Sequence, residues 1–225
     1  MGGNIPPPTQ VLAHVFLAWA VGTIVLTAIS RLFGEIQPGH FKVMWLSSAG
    51  LSFCAGFGYR LSFALTGLSL MCFAAIYGES DKVAGAFTAA GAIVVIALAS
   101  RASPEPYAVA LLLGAVTNGM LLGHWHLNQP KLGTKPIARI VWVCWAGIVA
   151  YLVTTAMLLH NAKGIVGLAA VTGIAFAAFC LILTGMVSHL VRTRSIMSAT
   201  GILYLEILMV LVAAFTGTLA ALAAR

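Results

Sequence analysis

Charged residues are scarce in this chain of 225 residues, since only 8% of its positions are Asp, Glu, Lys or Arg. Hydrophobic residues make up 61% of the chain, and the mean hydropathy is +1.03. Soluble domains carry charge at about a quarter of their positions, which helps to cover their surface with polar groups. The scarcity of charge therefore argues against a soluble globular domain and indicates a chain that lies in lipid.

Sequence motifs of soluble enzymes are also lacking. The chain has no GxSxG, no HExxH, no phosphate-binding P-loop and no GxGxxG followed by a distant acid. The five carboxylates are too scattered for a paired-acid hydrolase, and no aspartate-rich motif suggests a prenyl transferase. If the protein is an enzyme, we therefore expect electron or proton transfer within a membrane.

Cysteine pairs are missing as well. The four cysteines, Cys54, Cys72, Cys144 and Cys180, lie inside apolar runs without a CxxC spacing, which is typical of small buried side chains. The net charge of +7 comes from Lys and Arg in short loops between apolar runs. Cations in such loops set the orientation of helices and contact lipid headgroups. We therefore expect membrane lipid as a partner and no nucleic acid.

Long apolar runs are what the chain does contain. Runs of about 18 or more apolar residues recur along the whole length and predict transmembrane helices, whereas barrel strands would show short alternating segments. The sequence predicts an all-α integral membrane protein, a bundle of about eight transmembrane helices with short loops that forms one domain over residues 1–225. The predicted spans are 11–30, 41–57, 61–77, 83–100, 106–126, 137–159, 165–190 and 196–223.

The second and third spans are the least separated, because only Gly56-Phe57-Gly58-Tyr59-Arg60 lies between them. We interpret this segment as a tight turn, since an arginine at mid-membrane is costly. A re-entrant pair is the alternative that keeps the topology, whereas one continuous span would give seven spans. The connection 101–106 is predicted to be a polar turn. No motif recurs between the first four spans and the last four.

The loop cations predict the orientation. With eight spans, eight Lys and Arg residues lie on one side and four on the side of the termini. The positive-inside rule therefore places both termini outside, and the eight-cation side in the cytoplasm, of a bacterial-type inner or plasma membrane. We interpret Trp19, Trp45, Trp125 and Trp142 as anchors at the membrane interfaces.

Histidines are concentrated near the predicted cytoplasmic side. His124 and His126 end the fifth span, within the segment 119–130, and His189 and His40 lie at the same depth on two other helices. Such imidazoles can hold haem b, for which His126–His189 and His124–His189 are the predicted pairs, or can bond to a quinol headgroup. The alternative is that each histidine caps helix carbonyls or faces headgroups. We expect no metal ion, because no carboxylate or thiolate lies at ligand spacing.

Helical phase separates the two neighbouring histidines. Ala115, Gly119 and Gly123 recur every four residues and predict a close helix contact. At about 100° per residue, His126 falls on this face and His124 points away from it. We therefore expect His126 to face inward, opposite His189, and His124 to face headgroups or another helix.

Glu206 is an acid inside a predicted span. It lies about ten residues into the eighth span, on the face of Ala213 and Gly217, so we expect it to point into the bundle near mid-bilayer. Such acids carry protons, bind cations or act as bases in quinol sites. The alternative is a protonated carboxyl that hydrogen-bonds to a neighbouring helix. Asn118 is the predicted counterpart, and the two are predicted to line a polar route to the histidines.

These features together predict an integral membrane subunit of a larger complex, in a respiratory or other electron-transfer assembly, with other membrane subunits as partners. Its histidines would hold haem b or a quinone near the cytoplasmic surface. Two alternatives stay open at this point. One is a small transporter or channel for protons, metal ions or solutes that uses Glu206 at the midplane, and the other is a membrane scaffold without a site.

Overall fold

The computed structural model describes residues 5–57, 62–77, 81–100, 103–129, 131–160 and 163–224. The regular secondary structure in these residues is entirely helical, and it comprises eight α-helices. They are α1 (Pro8–Leu32), α2 (Pro38–Gly56), α3 (Ser62–Tyr77), α4 (Asp81–Ser100), α5 (Glu105–Trp125), α6 (Lys135–Leu159), α7 (Gly164–Arg192) and α8 (Ile196–Ala223). Each boundary lies within three residues of the predicted span.

Proline marks the start of four of these helices. Pro8, Pro38, Pro106 and Pro136 lie in the first turns of α1, α2, α5 and α6. The backbone N–H groups of a first helical turn have no partner within the helix, so proline, which lacks this group, fits there. The interiors of the apolar runs then continue as helix until a polar connection ends them.

Six of the helices are long and apolar enough to cross a membrane, namely α1 and α4–α8. The apolar part of α3, Ser62–Ile76, is shorter than these six helices. At about 1.5 Å per residue it extends over about 23 Å, which is less than the hydrocarbon thickness of about 30 Å. The turn predicted at residues 56–60 lies mostly outside the described residues. Because α2 and α3 pack side by side, the alternative of one continuous span is wrong.

Helix contacts divide the chain into two groups of four. In the first half, each of α1–α4 contacts the next helix and α4 returns to α1. The second half repeats this pattern, because α5–α8 pack in order and α8 returns to α5. The two halves meet through α1 and α5, and the contacts of α1 with α8 and of α5 with α4 flank this seam.

The spacing of buried residues recurs in equivalent helices of the two halves. In α2 and α6, the matching buried positions are Phe41, Met44, Ser48 and Ser52 with Ile137, Ile140, Cys144 and Ile148. In α3 and α7, they are Leu65, Leu68, Cys72 and Ala75 with Ala170, Gly173, Ala177 and Cys180. In α4 and α8, they are Thr88, Ala92, Ile96 and Ser100 with Glu206, Val210, Ala214 and Thr218. Four helices per half make equivalent helices run in the same direction, as in parallel membrane repeats. The helix contacts and the spacing of buried residues therefore recur between the two halves, whereas the residue identities do not.

Gly22 of α1 and Gly114 of α5 lie at the seam between the halves. A Cβ atom on Gly22 would overlap the carbonyl oxygen of Ala110, and one on Gly114 would overlap the backbone of Gly22. Trp19 Nε1 donates a hydrogen bond of 2.7 Å to Thr117 Oγ1 beside this point. The seam is thus a backbone contact of the kind that small residues allow.

Trp45 differs from its prediction as an interfacial anchor. It is 1% exposed, and its ring lies against Gly85 of α4, where a Cβ atom would come within 3.0 Å of it. The missing side chain of Gly85 opens the space that the indole fills. Trp142, another of the predicted anchors, is 70% exposed.

Candidate functional site

His126 caps the C-terminus of α5 at the inner end, by which we mean the end that contains the connections α1–α2, α5–α6 and α7–α8. Its Nδ1 lies 2.9 Å from the carbonyl oxygen of Leu122. A carbonyl only accepts, so Nδ1 carries the proton and Nε2 presents a lone pair in the neutral ring. Nε2 is buried and has no hydrogen-bond partner among the described residues.

His40 lies beside His126 and is also buried, at 2% exposure. Its ring centroid is 5.9 Å from that of Trp125 and 5.4 Å from that of Phe41. Trp125 directly precedes His126 in the chain, so His40 lies against the end of α5 that carries His126. The structure therefore brings together two of the four predicted imidazoles, from α2 and from the end of α5.

Gln129 holds this part of α5 against the connection between α1 and α2. Its Oε1 accepts a hydrogen bond of 3.2 Å from the backbone N–H of Gln37, and its Nε2 donates one of 3.4 Å to the carbonyl of Glu35. The described part of the segment 119–130, residues 119–129, thus contacts neighbouring elements both at its end and along α5. A Cβ atom on Gly123 would overlap the hydroxyl of Thr200 in α8.

His124 and His189 lie apart from this pair. His124 is exposed, as its helical phase predicts. His189 is exposed and lines a groove between α6 and α7, whereas His126 lines a different cavity between the α5–α6 connection and the start of α8. The structure therefore does not place His126 and His189 in one cavity.

The α6–α7 groove has a volume of about 420 Å³. Two tryptophans form one wall, and Trp145 Nε1 donates a hydrogen bond of 3.1 Å to Ser188 Oγ across the groove. The polar lining, Ser188, His189 and Arg192, lies toward the inner end of α7. The remaining lining is Ala138, Val141, Trp142, Gly185 and Val191. The groove is therefore apolar along most of its length and polar at one end.

Glu206 is fully buried, at 0% exposure, on the face of α8 that was predicted to point into the bundle. Thr184 Oγ1 of α7 donates a hydrogen bond of 2.5 Å to its Oε1. Its Oε2 is buried and has no hydrogen-bond partner among the described residues. A buried carboxyl oxygen without a partner is uncommon and calls for a proton, a water or a ligand as its explanation.

Asn118 is buried as well, but its hydrogen-bond partners lie in α5 and α1, whereas the partner of Glu206 lies in α7. Its Nδ2 donates a hydrogen bond of 2.8 Å to the carbonyl of Gly114, and its Oδ1 lies 3.5 Å from the hydroxyl of Thr27 in α1. Within the described residues, no hydrogen bond joins Asn118 to Glu206. The polar route predicted between them stays a prediction.

The prediction of a simple polar turn over residues 101–106 is wrong at Glu105. This residue begins α5 at 3% exposure, and its Oε1 accepts a hydrogen bond of 2.7 Å from Thr218 Oγ1 of α8. This bond fastens the outer ends of α5 and α8. No local pattern predicts this contact, because the partner lies 113 positions away in the chain.

No protein-family model, curated protein or solved structure matches the chain. Within the described residues, no group of three or more His, Cys, Asp and Glu side chains is arranged to hold a metal ion. The function must therefore be argued from the groove, the histidines and the buried acid themselves.

Proposed function

We propose that the chain is an integral membrane protein with its inner end in the cytoplasm. It serves as a membrane subunit of a respiratory or other electron-transfer complex and binds a quinol headgroup in the α6–α7 groove. The observation that carries the proposal is the lining of that groove, in which His189, Arg192 and Ser188 lie at one end of an apolar surface that includes two tryptophans.

This lining suits a molecule with a polar aromatic head and an apolar tail. The head stacks on an indole ring of Trp142 or Trp145, while the tail follows the apolar side chains toward mid-membrane. His189 accepts a hydrogen bond from a quinol hydroxyl, and Arg192 donates to a quinone oxygen. Oxidation of the quinol to the quinone releases two protons and two electrons. His189 takes the first proton, the second passes to water at the inner end of the groove, and both electrons pass to a redox centre in a partner subunit.

Haem b is the other ligand predicted for the histidines, and the geometry supports it less. A bis-histidine haem needs two imidazoles on facing helices with the porphyrin between them. Among the described residues that line the α6–α7 groove, His189 is the one histidine. The ring of His40 has Trp125 at 5.9 Å and Phe41 at 5.4 Å around it. A visible absorption spectrum of the purified protein separates the two ligands, because only haem gives a Soret band.

Quenching of tryptophan fluorescence tests the quinol proposal, since two of the five tryptophans line the groove. We expect a short-tailed ubiquinone analogue to quench the purified protein saturably. His189→Ala removes one hydrogen bond and should weaken the apparent affinity about five- to tenfold. The matched control is His160→Ala, which removes an exposed histidine after α6 at the outer end. Equal titration curves for both variants and the wild type would sink the proposal.

Glu206 supports a second candidate, a pathway for protons or cations through the second half. The unpartnered Oε2 atom is the observation in its favour, because a mid-membrane carboxyl that lacks a fixed partner can exchange a proton or bind a cation. Proton flux into proteoliposomes measures this activity. The second candidate predicts flux that is lost in Glu206→Gln, and it fails if wild-type and variant vesicles acidify at the same rate.

A further inference from the structure

A second cavity at the inner end, which we call the inner basin, lies between the α5–α6 connection and the start of α8. Its volume is about 690 Å³. Every residue from Lys131 to Pro136 contributes to its lining. The other lining residues are Glu35, His126, Gln129, Arg194 and Ile196. Unlike the α6–α7 groove, the inner basin is lined mainly by polar and charged side chains.

The charges of the inner basin are predominantly positive. Lys131, Lys135 and Arg194 contribute three cations. Among the described lining residues, Glu35 is the one acid. It already forms an ion pair with Arg139, in which Oε1 lies 3.0 Å from Nη2. Within the described residues, none of the three cations forms an ion pair of its own. The inner basin therefore presents three uncompensated positive charges at one place.

Arg194 has a backbone conformation that favours glycine. Its φ angle is +60°, and it follows the end of α7, where the N–H of Ser195 bonds to the carbonyl of Leu190 at 2.8 Å. Glycine is the usual residue at such a helix end, since side chains with a Cβ atom are strained there. An arginine at a strained position suggests that its side chain has a function that glycine would not supply.

We propose that the inner basin binds a phosphate-bearing anion. Lys131, Lys135 and Arg194 supply the charge, and the Arg194 guanidinium gives two parallel hydrogen bonds to phosphate oxygens. His126 also lies in the lining, although its Nε2 atom is buried. A volume of about 690 Å³ leaves room for a molecule larger than an inorganic phosphate ion. Two sources share this chemistry: an anionic phospholipid headgroup, for which basic pockets at a cytoplasmic surface are suited, and a soluble organic phosphate.

Native mass spectrometry of the purified protein tests the proposal with four probes. Dihexanoyl phosphatidylglycerol represents the lipid headgroup, and dihexanoyl phosphatidylcholine is its zwitterionic match. ATP and glycerol 3-phosphate represent soluble organic phosphates. We expect one anionic class to bind and phosphatidylcholine to bind at least about tenfold more weakly, because the zwitterion adds a positive charge near three cations. Preference for phosphatidylglycerol assigns the lipid source, and preference for ATP or glycerol 3-phosphate assigns the soluble source.

Arg194→Gly is the decisive variant, because it removes the guanidinium and relieves the backbone strain at once. We expect its unfolding midpoint without ligand to equal or exceed that of the wild type, while its affinity for the preferred anion falls at least about tenfold. Lys163→Gln removes a cation before α7 at the outer end and should leave the affinity unchanged. Equal anion affinity in Arg194→Gly and the wild type overturns the proposal, as does equal binding of phosphatidylcholine.

Discussion

Thr88 of α4 and Glu206 of α8 occupy equivalent positions in the two halves of the chain. Each is buried, and each is directed toward the preceding helix of its own half: the Thr88 hydroxyl lies 3.5 Å from the carbonyl of Met71 in α3, and Glu206 accepts from Thr184 in α7. One position thus holds a neutral hydroxyl in the first half and an acid in the second. The α6–α7 groove lies in the same half as this buried acid.

Thr184→Val should destabilise the protein by about 1–3 kcal/mol. Valine keeps the shape of threonine but removes the hydrogen bond that the buried Glu206 carboxyl accepts from Thr184, and an unpaired buried polar group is costly. The measurement is the free energy of unfolding in detergent. Thr172→Val is the matched control, because that hydroxyl is exposed and bonds only to the carbonyl of Leu168 in its own helix.

The double variant Thr184→Val/Glu206→Leu should recover much of this loss. Removing both polar partners leaves an apolar contact, which costs less than leaving one partner buried alone. If Thr184→Val by itself unfolds like the wild type, the bond between α7 and α8 does not stabilise the fold. If the double variant is less stable than Thr184→Val, Glu206 has further favourable interactions in the core.

Gly114→Ala should lower the stability although alanine is the better helix former. The added methyl group overlaps the backbone of Gly22, so α1 and α5 must separate, at a cost of about 1–3 kcal/mol for overpacking. Gly50→Ala is the control, since nothing lies within 4 Å of the Cβ position there. That control should be neutral or more stable by up to about 1 kcal/mol. The unfolding midpoint of each variant in detergent measures the difference. Midpoints that shift in the same direction in both variants would contradict a tight contact between α1 and α5.

Accessibility to a membrane-impermeant maleimide tests the proposed orientation. In a background without the native cysteines, His160→Cys should be labelled in intact cells, because His160 lies after α6 at the outer end. Lys131→Cys lies in the α5–α6 connection at the inner end and should be labelled only after permeabilisation. The opposite pattern would place the inner end outside the cell, and it would remove the cytoplasmic destination of protons from the proposed function.

Local features of the sequence predicted the helices well. Apolar runs predicted all eight helices, because the length and hydrophobicity of a helix are properties of neighbouring residues. Helical phase also separated His124, which is exposed, from His126, whose Nε2 is buried. Predictions of this kind depend only on the hydrophobicity and the helical periodicity of one segment at a time.

Contacts between distant helices could not be predicted in the same way. The recurrence between the halves is visible in helix contacts and in buried positions but not in residue identities, since a pair such as Thr88 and Glu206 shares a place but no chemistry. The bond from Thr218 to Glu105 and the separation of His126 from His189 depend likewise on which helices are neighbours. Small residues indicate that a helix packs closely, but they do not identify its partner.

The most direct measurement of the central claim is mapping of a photoreactive quinone on the protein in native membranes, by mass spectrometry of the labelled peptides. The account predicts crosslinks to the inner parts of α6 and α7, near Trp142 and His189, which excess unlabelled quinone displaces and which His189→Ala reduces. Crosslinks beside His40 and Trp125 instead, or labelling that excess quinone does not displace, would contradict a quinol site in the α6–α7 groove.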